Sequence, residues 1–322
     1  MPYYFYQFKF LTPVRFGGRR GAGMAESSMQ FTATQLFSSF CIEWGRLFGA
    51  QSLHEDLVQA ALSDSLQISD LFPYLHEEFY LPKPVLFRIR SQRGEMEQDK
   101  KKLKKIEYIP VEKFKQFVDS LESGSNVKGL DAEFGAEVLN YRCAKSYEQQ
   151  SMPYIVSGFQ FKEGAGLYFV IQTSEEIQKT LHHVVESLGL SGIGGKKSSG
   201  YGKFEILNSG LLTECNNKSL KQIHEMLISD GDSYMCLSSV VPNEDEIKVL
   251  ENENSFYRLQ YQGGFVESFT YSQNRLKKKN IASIQAGSCL TERIVGRIVD
   301  VSNEGAHPVF CYGKSMQAGI KL

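Results

Sequence analysis

Between a helical pattern at Ser174–Leu188 and a strand pattern at Lys203–Leu207 lies Gly192-Ile-Gly-Gly-Lys-Lys-Ser-Ser-Gly-Tyr-Gly202, eleven residues with five glycines, two lysines and two serines. Glycine at this density lets the backbone adopt positive φ and approach a neighbour closely. Lysines add charge, and serines and exposed N–H groups suit phosphate oxygens. Ser174 is a natural N-cap for the preceding helix. The order helix, loop, strand is the constraint. A Walker A loop or a dinucleotide fingerprint follows a strand and opens a helix, so that the helix N-terminus faces the phosphates. The spacing departs as well: after Gly192-x-Gly194, Lys197 stands where a third glycine belongs, and no Gly-Lys-Ser/Thr closes the loop. A nucleoside-triphosphate site is thereby excluded here, leaving a glycine-rich surface turn or a nucleic-acid contact.

Upstream, Tyr3–Phe10 predicts a strand rich in β-forming aromatics. Arg15-Phe-Gly-Gly-Arg-Arg-Gly-Ala-Gly23 predicts a flexible basic turn, and Thr32 or Thr34 caps a helix running to Phe48. Strand, glycine turn and helix open a βαββαβ unit. Its remaining parts are predicted at Tyr154–Phe161 and Leu167–Thr173, paired as a hairpin around Lys162–Gly166, then the helix Ser174–Leu188, the glycine loop and the strand Lys203–Leu207. Residues 81–152 become a long insertion holding the basic run Lys100–Lys105, an apolar segment at Ile106–Ile109 and a short helix near Val111–Leu121. The run is read as a solvated tip or as an arm over a polyanion.

The first domain is therefore assigned to 1–208 and a second to 209–322. In the second, a helix is predicted at Ser219–Ile228 and strands at Tyr234–Val241, Phe256–Tyr261, Phe265–Tyr271 and Arg293–Val301, with a final strand and glycine turn in His307–Lys314. A second, more decorated ferredoxin-like unit fits this order.

At 322 residues, 42% hydrophobic and 23% charged, the chain has the composition of a globular protein large enough for two cores. A net charge of −1 leaves room for a confined basic patch. The six cysteines are scattered without a C-x-x-C pair, and the apolar start is short and lacks a basic n-region. Reduced thiols, a cytoplasmic location and no membrane span are expected. No H-E-x-x-H, G-x-S-x-G or metal-spaced carboxylate pair is present. His307, before a proline and near Gly313-Lys314, is the one candidate general base, for metal-independent RNA cleavage. The positive signals are of the nucleic-acid type: basic residues in or beside glycine turns at Arg15–Arg20, Lys196–Lys203 and Lys314, with Phe16, Tyr201 and Tyr312 as stacking faces.

The helix, the loop through Lys203-Phe204 and the following strand resemble the G-rich loop of the repeat-associated RAMP proteins of CRISPR systems. Thr12-Pro-Val-Arg-Phe-Gly-Gly18, Leu237-Ser-Ser-Val-Val-Pro242, Tyr257-Arg-Leu-Gln-Tyr-Gln-Gly-Gly264, Ala286-Gly-Ser288 and His307-Pro-Val-Phe-Cys-Tyr-Gly-Lys314 extend the likeness over most of the chain. Their order is similar to that of the Csm-four subunits of type III-A effector complexes, members of the Cas-five-like group. The resemblance implies an α+β fold of two ferredoxin-like, RRM-like domains with a glycine-rich loop and an inserted β-hairpin thumb at about 81–152. It implies a non-catalytic subunit that holds the 5′ repeat-derived tag of the CRISPR RNA (crRNA). The implied partners are the large polymerase-type Csm subunit and a backbone RAMP Csm subunit, with target RNA met only indirectly. No cofactor and no metal are implied. The RNA-binding residues expected are Arg15, Gly17, Gly18, Arg19 and Arg20; Gly192, Gly194, Gly195, Lys196, Lys197, Ser198, Ser199, Gly200, Tyr201, Gly202 and Lys203; and His307, Tyr312 and Lys314. In this picture the glycine amides reach the tag and Tyr201 stacks. The related processing endoribonucleases share this loop and supply the rival reading, with His307 as base.

Overall fold

The computed structural model describes residues 1–17, 28–86, 105–144, 152–268 and 270–322. Gly18, Arg19, Arg20 and Lys100–Lys104 lie outside the described residues. In chain order the elements are β1 Tyr3–Phe10, α1 Ala33–Ser52, α2 Gln59–Leu62, β2 Gln67–Ile68, β3 Phe72–Leu75, β4 Glu78–Pro82, β5 Tyr108–Pro110, α3 Val111–Ser123, β6 Gly135–Ala144, β7 Met152–Phe161, β8 Ala165–Gln172, α4 Glu175–Ser191 and β9 Phe204–Leu211. There follow α5 Lys218–Ile228, β10 Ser233–Cys236, α6 Ile247–Leu250, β11 Leu259–Gln262, β12 Ile281–Ile284, β13 Cys289–Leu290, β14 Val299–Asp300, β15 Phe310–Cys311 and β16 Gln317–Ile320.

β1 lies between β8 and β9 in a seven-stranded sheet of order β5-β4-β3-β8-β1-β9, with β2 added to β8. Its neighbours β8 and β9 both run antiparallel to it. Its aromatic sequence follows from burial on both faces. Tyr4, Tyr6, Phe8 and Phe10 enter one apolar cluster and Phe5 the other, as the period-2 alternation of a strand requires. The first cluster receives Leu36, Phe37, Phe40 and Trp44 from α1 and Leu181, Val184, Val185 and Leu188 from α4. Thr32 starts α1 with a capping box to Gln35, and the Ser174 hydroxyl accepts from the Ile177 amide at the start of α4. The second cluster joins the other face of the sheet to Phe114, Phe117 and Val118 of α3 and to Leu220, Met235, Met316 and Ile320 of the C-terminal half. α3 is therefore core rather than a free arm.

The predicted pairing of Tyr154–Phe161 with Leu167–Thr173 does not form. The place beside β8 is taken by β3, whose Phe72 lies opposite Tyr168. β7 pairs instead with β6, from Gly135↔Phe161 to Ala144↔Met152, as a separate two-stranded ribbon. β7 closes on β6, its neighbour in sequence, and the tight turn Lys162–Ala165, with the Ala165 amide donating to the Lys162 carbonyl (3.1 Å), then carries the chain from the ribbon into the sheet.

The C-terminal half contains a three-stranded sheet, β13-β10-β16, and two two-stranded ladders, β11-β12 and β14-β15. The predicted strand Arg293–Val301 reduces to β14 and a single bridge from Gly296 to Lys314. Its backbone bonds are divided: the Arg297 amide donates to Val241, while Val295 accepts from Ser315. A segment shared between two neighbours in this way cannot form one regular ladder. Phe265–Tyr271 likewise forms only the bridge Phe265↔Lys277 among the described residues. The architecture is mixed α and β with antiparallel sheets. Among the described residues no helix is long and apolar enough to cross a membrane.

Candidate nucleic-acid interface

The glycine loop begins where Gly192 takes φ +83°, ending α4 while its amide still donates to the Leu188 carbonyl (2.7 Å). The Ile193 amide donates to the Gly202 carbonyl (3.0 Å) and closes the neck. Gly202 itself has φ +76°, and a Cβ there would lie 2.0 Å from the Ile193 carbonyl oxygen, so no other residue fits. Between these ends, Lys196 adopts a left-handed conformation (φ 62°) and Lys197–Ser199 make one 3-10 turn. Residues 11–15 hold the loop from outside. The Gly195 amide donates to the Arg15 carbonyl (2.7 Å), that of Gly202 to Pro13 (2.8 Å) and that of Lys203 to the Thr12 hydroxyl (3.0 Å).

These bonds change the part expected of the glycines. The amides of Gly192, Gly195, Gly200 and Gly202 are all engaged within the protein. The glycines shape the loop, and the outward chemistry falls to side chains. Ser198, Ser199 and Lys203 are exposed, and Lys196 is half-buried with its ammonium 5.7 Å from the Tyr154 ring centroid. Lys197 is turned aside, 3.4 Å from the Glu267 carboxylate.

Tyr201 does not present a stacking face. It is buried, its hydroxyl accepts from Asn140 Nδ2, and the Arg142 guanidinium lies 5.8 Å from its ring centroid. Gly158 makes room for the ring, since a Cβ there would come 2.8 Å from Tyr201 Cε1. Phe16 is likewise buried, between Phe10 and Phe31. Arg15 lies beside the loop with its guanidinium donating to the Ser157 carbonyl (2.9 Å) and hydroxyl (3.1 Å), and Gly17 is exposed.

The C-terminal candidates separate from this surface. Tyr312 is fully buried; its hydroxyl accepts from the Ile68 amide (2.9 Å) and donates to the Leu66 carbonyl (3.1 Å), and burial holds the phenol well above its usual range. Lys314 is buried and ion-paired with Asp64. Both are withdrawn from the surface that the loop presents. His307 lies nearer the loop through an indirect link: its Nε2 is 2.8 Å from the Ser268 hydroxyl, next in sequence to the Glu267 that pairs with Lys197. Its Nδ1 is 2.8 Å from the Pro308 carbonyl, which can only accept, so Nδ1 carries the proton and, in the neutral ring, Nε2 accepts from Ser268.

The ribbon β6–β7 supplies what the sequence reading omitted. Asn140, Arg142 and Tyr154, on one face of the ribbon, meet Tyr201 and Lys196. The period-2 spacing of Asn140 and Arg142 is the signal that places them together. The result is an outward surface of Lys196, Ser198, Ser199 and Lys203 on a loop pinned from three sides. It offers cations and hydroxyls to an anionic ligand.

The family described as "CRISPR Csm4 C-terminal domain" matches residues 229–320. The CRISPR system Cms protein Csm4 of Mycobacterium tuberculosis (strain CDC 1551 / Oshkosh) is 30% identical over 295 residues, covering 91% of each chain. That of Streptococcus thermophilus is 24% identical over 307 residues, covering 92% of this chain and 93% of its own. The fold is similar to that of a chain in the crystal structure of the Csm3-Csm4 subcomplex in the type III-A CRISPR-Cas interference complex, with TM-score 0.66, 18% identity and 99% of both chains covered. It is similar too to a chain of the Csm1-Csm4 cassette in complex with cA4, with TM-score 0.63, 17% identity, and 100% of this chain and 99% of that one covered. With this identity sustained over 91% of its length, the chain belongs to the Csm4 family of CRISPR systems.

Proposed function

We propose that this protein is a non-catalytic subunit of a type III-A Csm ribonucleoprotein that holds the 5′ repeat-derived tag of the crRNA on its glycine loop. The observation that carries the reading is the pinned loop itself, which turns Lys196, Lys203, Ser198 and Ser199 outward while the amides of Gly192, Gly195, Gly200 and Gly202 are used internally. Lysines on such a loop neutralise phosphates, and hydroxyls bond phosphate or base edges. Arg15 and Arg142 flank the same surface. The β6–β7 ribbon serves as the thumb. The N-terminal part is read as ferredoxin-like, supported by the antiparallel order β9-β1-β8-β3 with α1 and α4 packed into one cluster on the sheet. The C-terminal half is read as the second, more decorated domain. Relatives of like fold are found with Csm3 in one assembly and with Csm1 in another. These two settings support a joining role between a backbone subunit and the large subunit.

The processing-nuclease reading needs His307 as a base, but its imidazole is engaged at both nitrogens by Ser268 and Pro308. This favours a positioning role for His307. The test is co-expression of the tagged protein with the neighbouring operon products and a CRISPR array, followed by RNA sequencing of what copurifies. A multi-subunit complex carrying RNAs with one uniform 5′ repeat-derived end is expected. Protein purified alone that cleaves repeat RNA, with the activity lost in His307→Ala, would overturn the proposal.

A further inference from the structure

Beyond the glycine loop, the described residues carry a second basic surface, on the C-terminal half. Gly264–Val266 and Leu276–Lys278 run side by side, tied by the Val266 amide to the Leu276 carbonyl (3.0 Å) and the Lys278 amide to the Gly264 carbonyl (2.9 Å). The exposed Phe265 ring sits at this crossing, with the Arg275 guanidinium 4.6 Å and the Lys277 ammonium 5.5 Å from its centroid. Neither cation meets a carboxylate among the described residues. Lys278 is half-buried, and Lys279 is exposed near Asp300, whose carboxylate is already bonded by the Ser302 and Val309 amides (2.9 and 3.2 Å). Glu267 is turned to Lys197. Phe265 is 44% exposed.

Bringing two like charges to one ring costs Coulomb energy that the ring quadrupole only partly offsets. Within a chain of net charge −1, such a cluster is a local preference for an anion. An exposed aromatic face between cations suits an unstacked base with its phosphates alongside, which is the chemistry of single-stranded rather than duplex nucleic acid. The surface is also continuous with the glycine loop. Glu267 bonds Lys197 and Ser268 bonds His307, while the buried Tyr271 anchors the segment by accepting from the Asn303 and Ala306 amides.

We infer that Phe265, Arg275 and Lys277 form a second single-stranded RNA contact that continues the strand path from the glycine loop onto the C-terminal half. The inference rests on the RNA-binding reading of that loop, and its test separates the two. The complex is assembled with guide RNA carrying 4-thiouridine at successive positions, irradiated, and the crosslinked peptides are identified. Crosslinks are expected both in the 192–203 peptide and in the peptide containing Phe265. Arg275→Ala/Lys277→Ala should abolish only the second set and lower the salt slope of RNA binding by about 1.4, at about 0.7 per lost phosphate contact. Phe265→Leu, which keeps apolar bulk, should weaken binding by roughly tenfold through lost stacking. Crosslinks at 192–203 with none at Phe265 would overturn this inference and leave the loop reading standing. Crosslinks at Phe265 alone would defeat the loop reading and, with it, the continuous path, leaving Phe265 as an RNA contact of its own. A protein neighbour captured at Lys277 in place of RNA would also overturn it.

Discussion

Gly195-Lys196 and Gly313-Lys314 are the same dipeptide, and the fold gives them opposite surroundings: the first lies in a tight loop, the second in extended backbone bridged to Gly296. At the first, α4 ends, residues 12–15 hold the backbone from one side, and the lysine extends along the ribbon towards Tyr154 and solvent. At the second, a Cβ on Gly313 would lie 2.5 Å from the Arg297 carbonyl oxygen and 2.7 Å from Val241 Cβ, and Lys314 is buried against Asp64. The first is a surface and the second is a strut. Glycine beside a lysine in a sequence marks a close backbone approach near a cation, and only the packing around it decides whether the cation is available.

The largest expected effect that tests this contrast is on shape. Gly202→Ala forces a Cβ into the Ile193 carbonyl at positive φ and should destabilise the protein by about 3 kcal/mol or more, read as a lowered denaturant midpoint. An unchanged midpoint would mean that the loop is not held as described. Next, Lys314→Ala should cost about 1–2 kcal/mol, less than a fully buried pair because Asp64 is half exposed, with the salt dependence of RNA binding unchanged. A changed salt slope in that variant would place Lys314 on the RNA surface after all.

The same division predicts a pH response at the junction of the two halves. Asp70 accepts from the Ala33 amide at the start of α1 (2.7 Å) and from the Ser239 amide (3.0 Å), and burial pushes its carboxyl up to about 6. The folded state thus holds this proton more tightly than the unfolded chain. The contribution is full below about pH 4 and is lost as pH rises through about 6. Denaturant midpoints should fall over that window in the native protein and stay flatter in Asp70→Asn. The smallest effect is expected of Tyr201→Phe, which loses the Asn140 bond at a cost of about 1 kcal/mol, with RNA affinity within twofold. A large loss of affinity without loss of stability would return Tyr201 to the role of stacking platform.

The local half of this architecture was legible in the residues. β1, the Thr32-capped α1, the Ser174-capped α4, the glycine loop and the strand after it all announce themselves through short-range patterns. The pairing of β8 was not. β3 is four residues containing a proline, Phe-Pro-Tyr-Leu, whereas β7 is a longer and better strand in isolation, yet β7 closes a local hairpin with β6 and the edge of β8 goes to the distant β3. The candidate site divides along the same line. Lys196, Ser198, Ser199 and Lys203 sit where the loop's composition places them, at the surface, but an aromatic beside a glycine carries no mark of burial. Tyr201 and Tyr312 both read as platforms and both pack inward. The partners on the ribbon, Asn140, Arg142 and Tyr154, could be found only once its register was known.

The central claim is that the outward lysines of the glycine loop neutralise RNA phosphates while the buried Lys314 does not. The most direct measurement is the salt dependence of tag-RNA affinity for the assembled complex carrying Lys196→Ala/Lys203→Ala, with the native and Lys314→Ala complexes alongside. The account predicts a slope reduced by about 1.4 in the double variant and unchanged in Lys314→Ala. An unchanged slope in the double variant would contradict it.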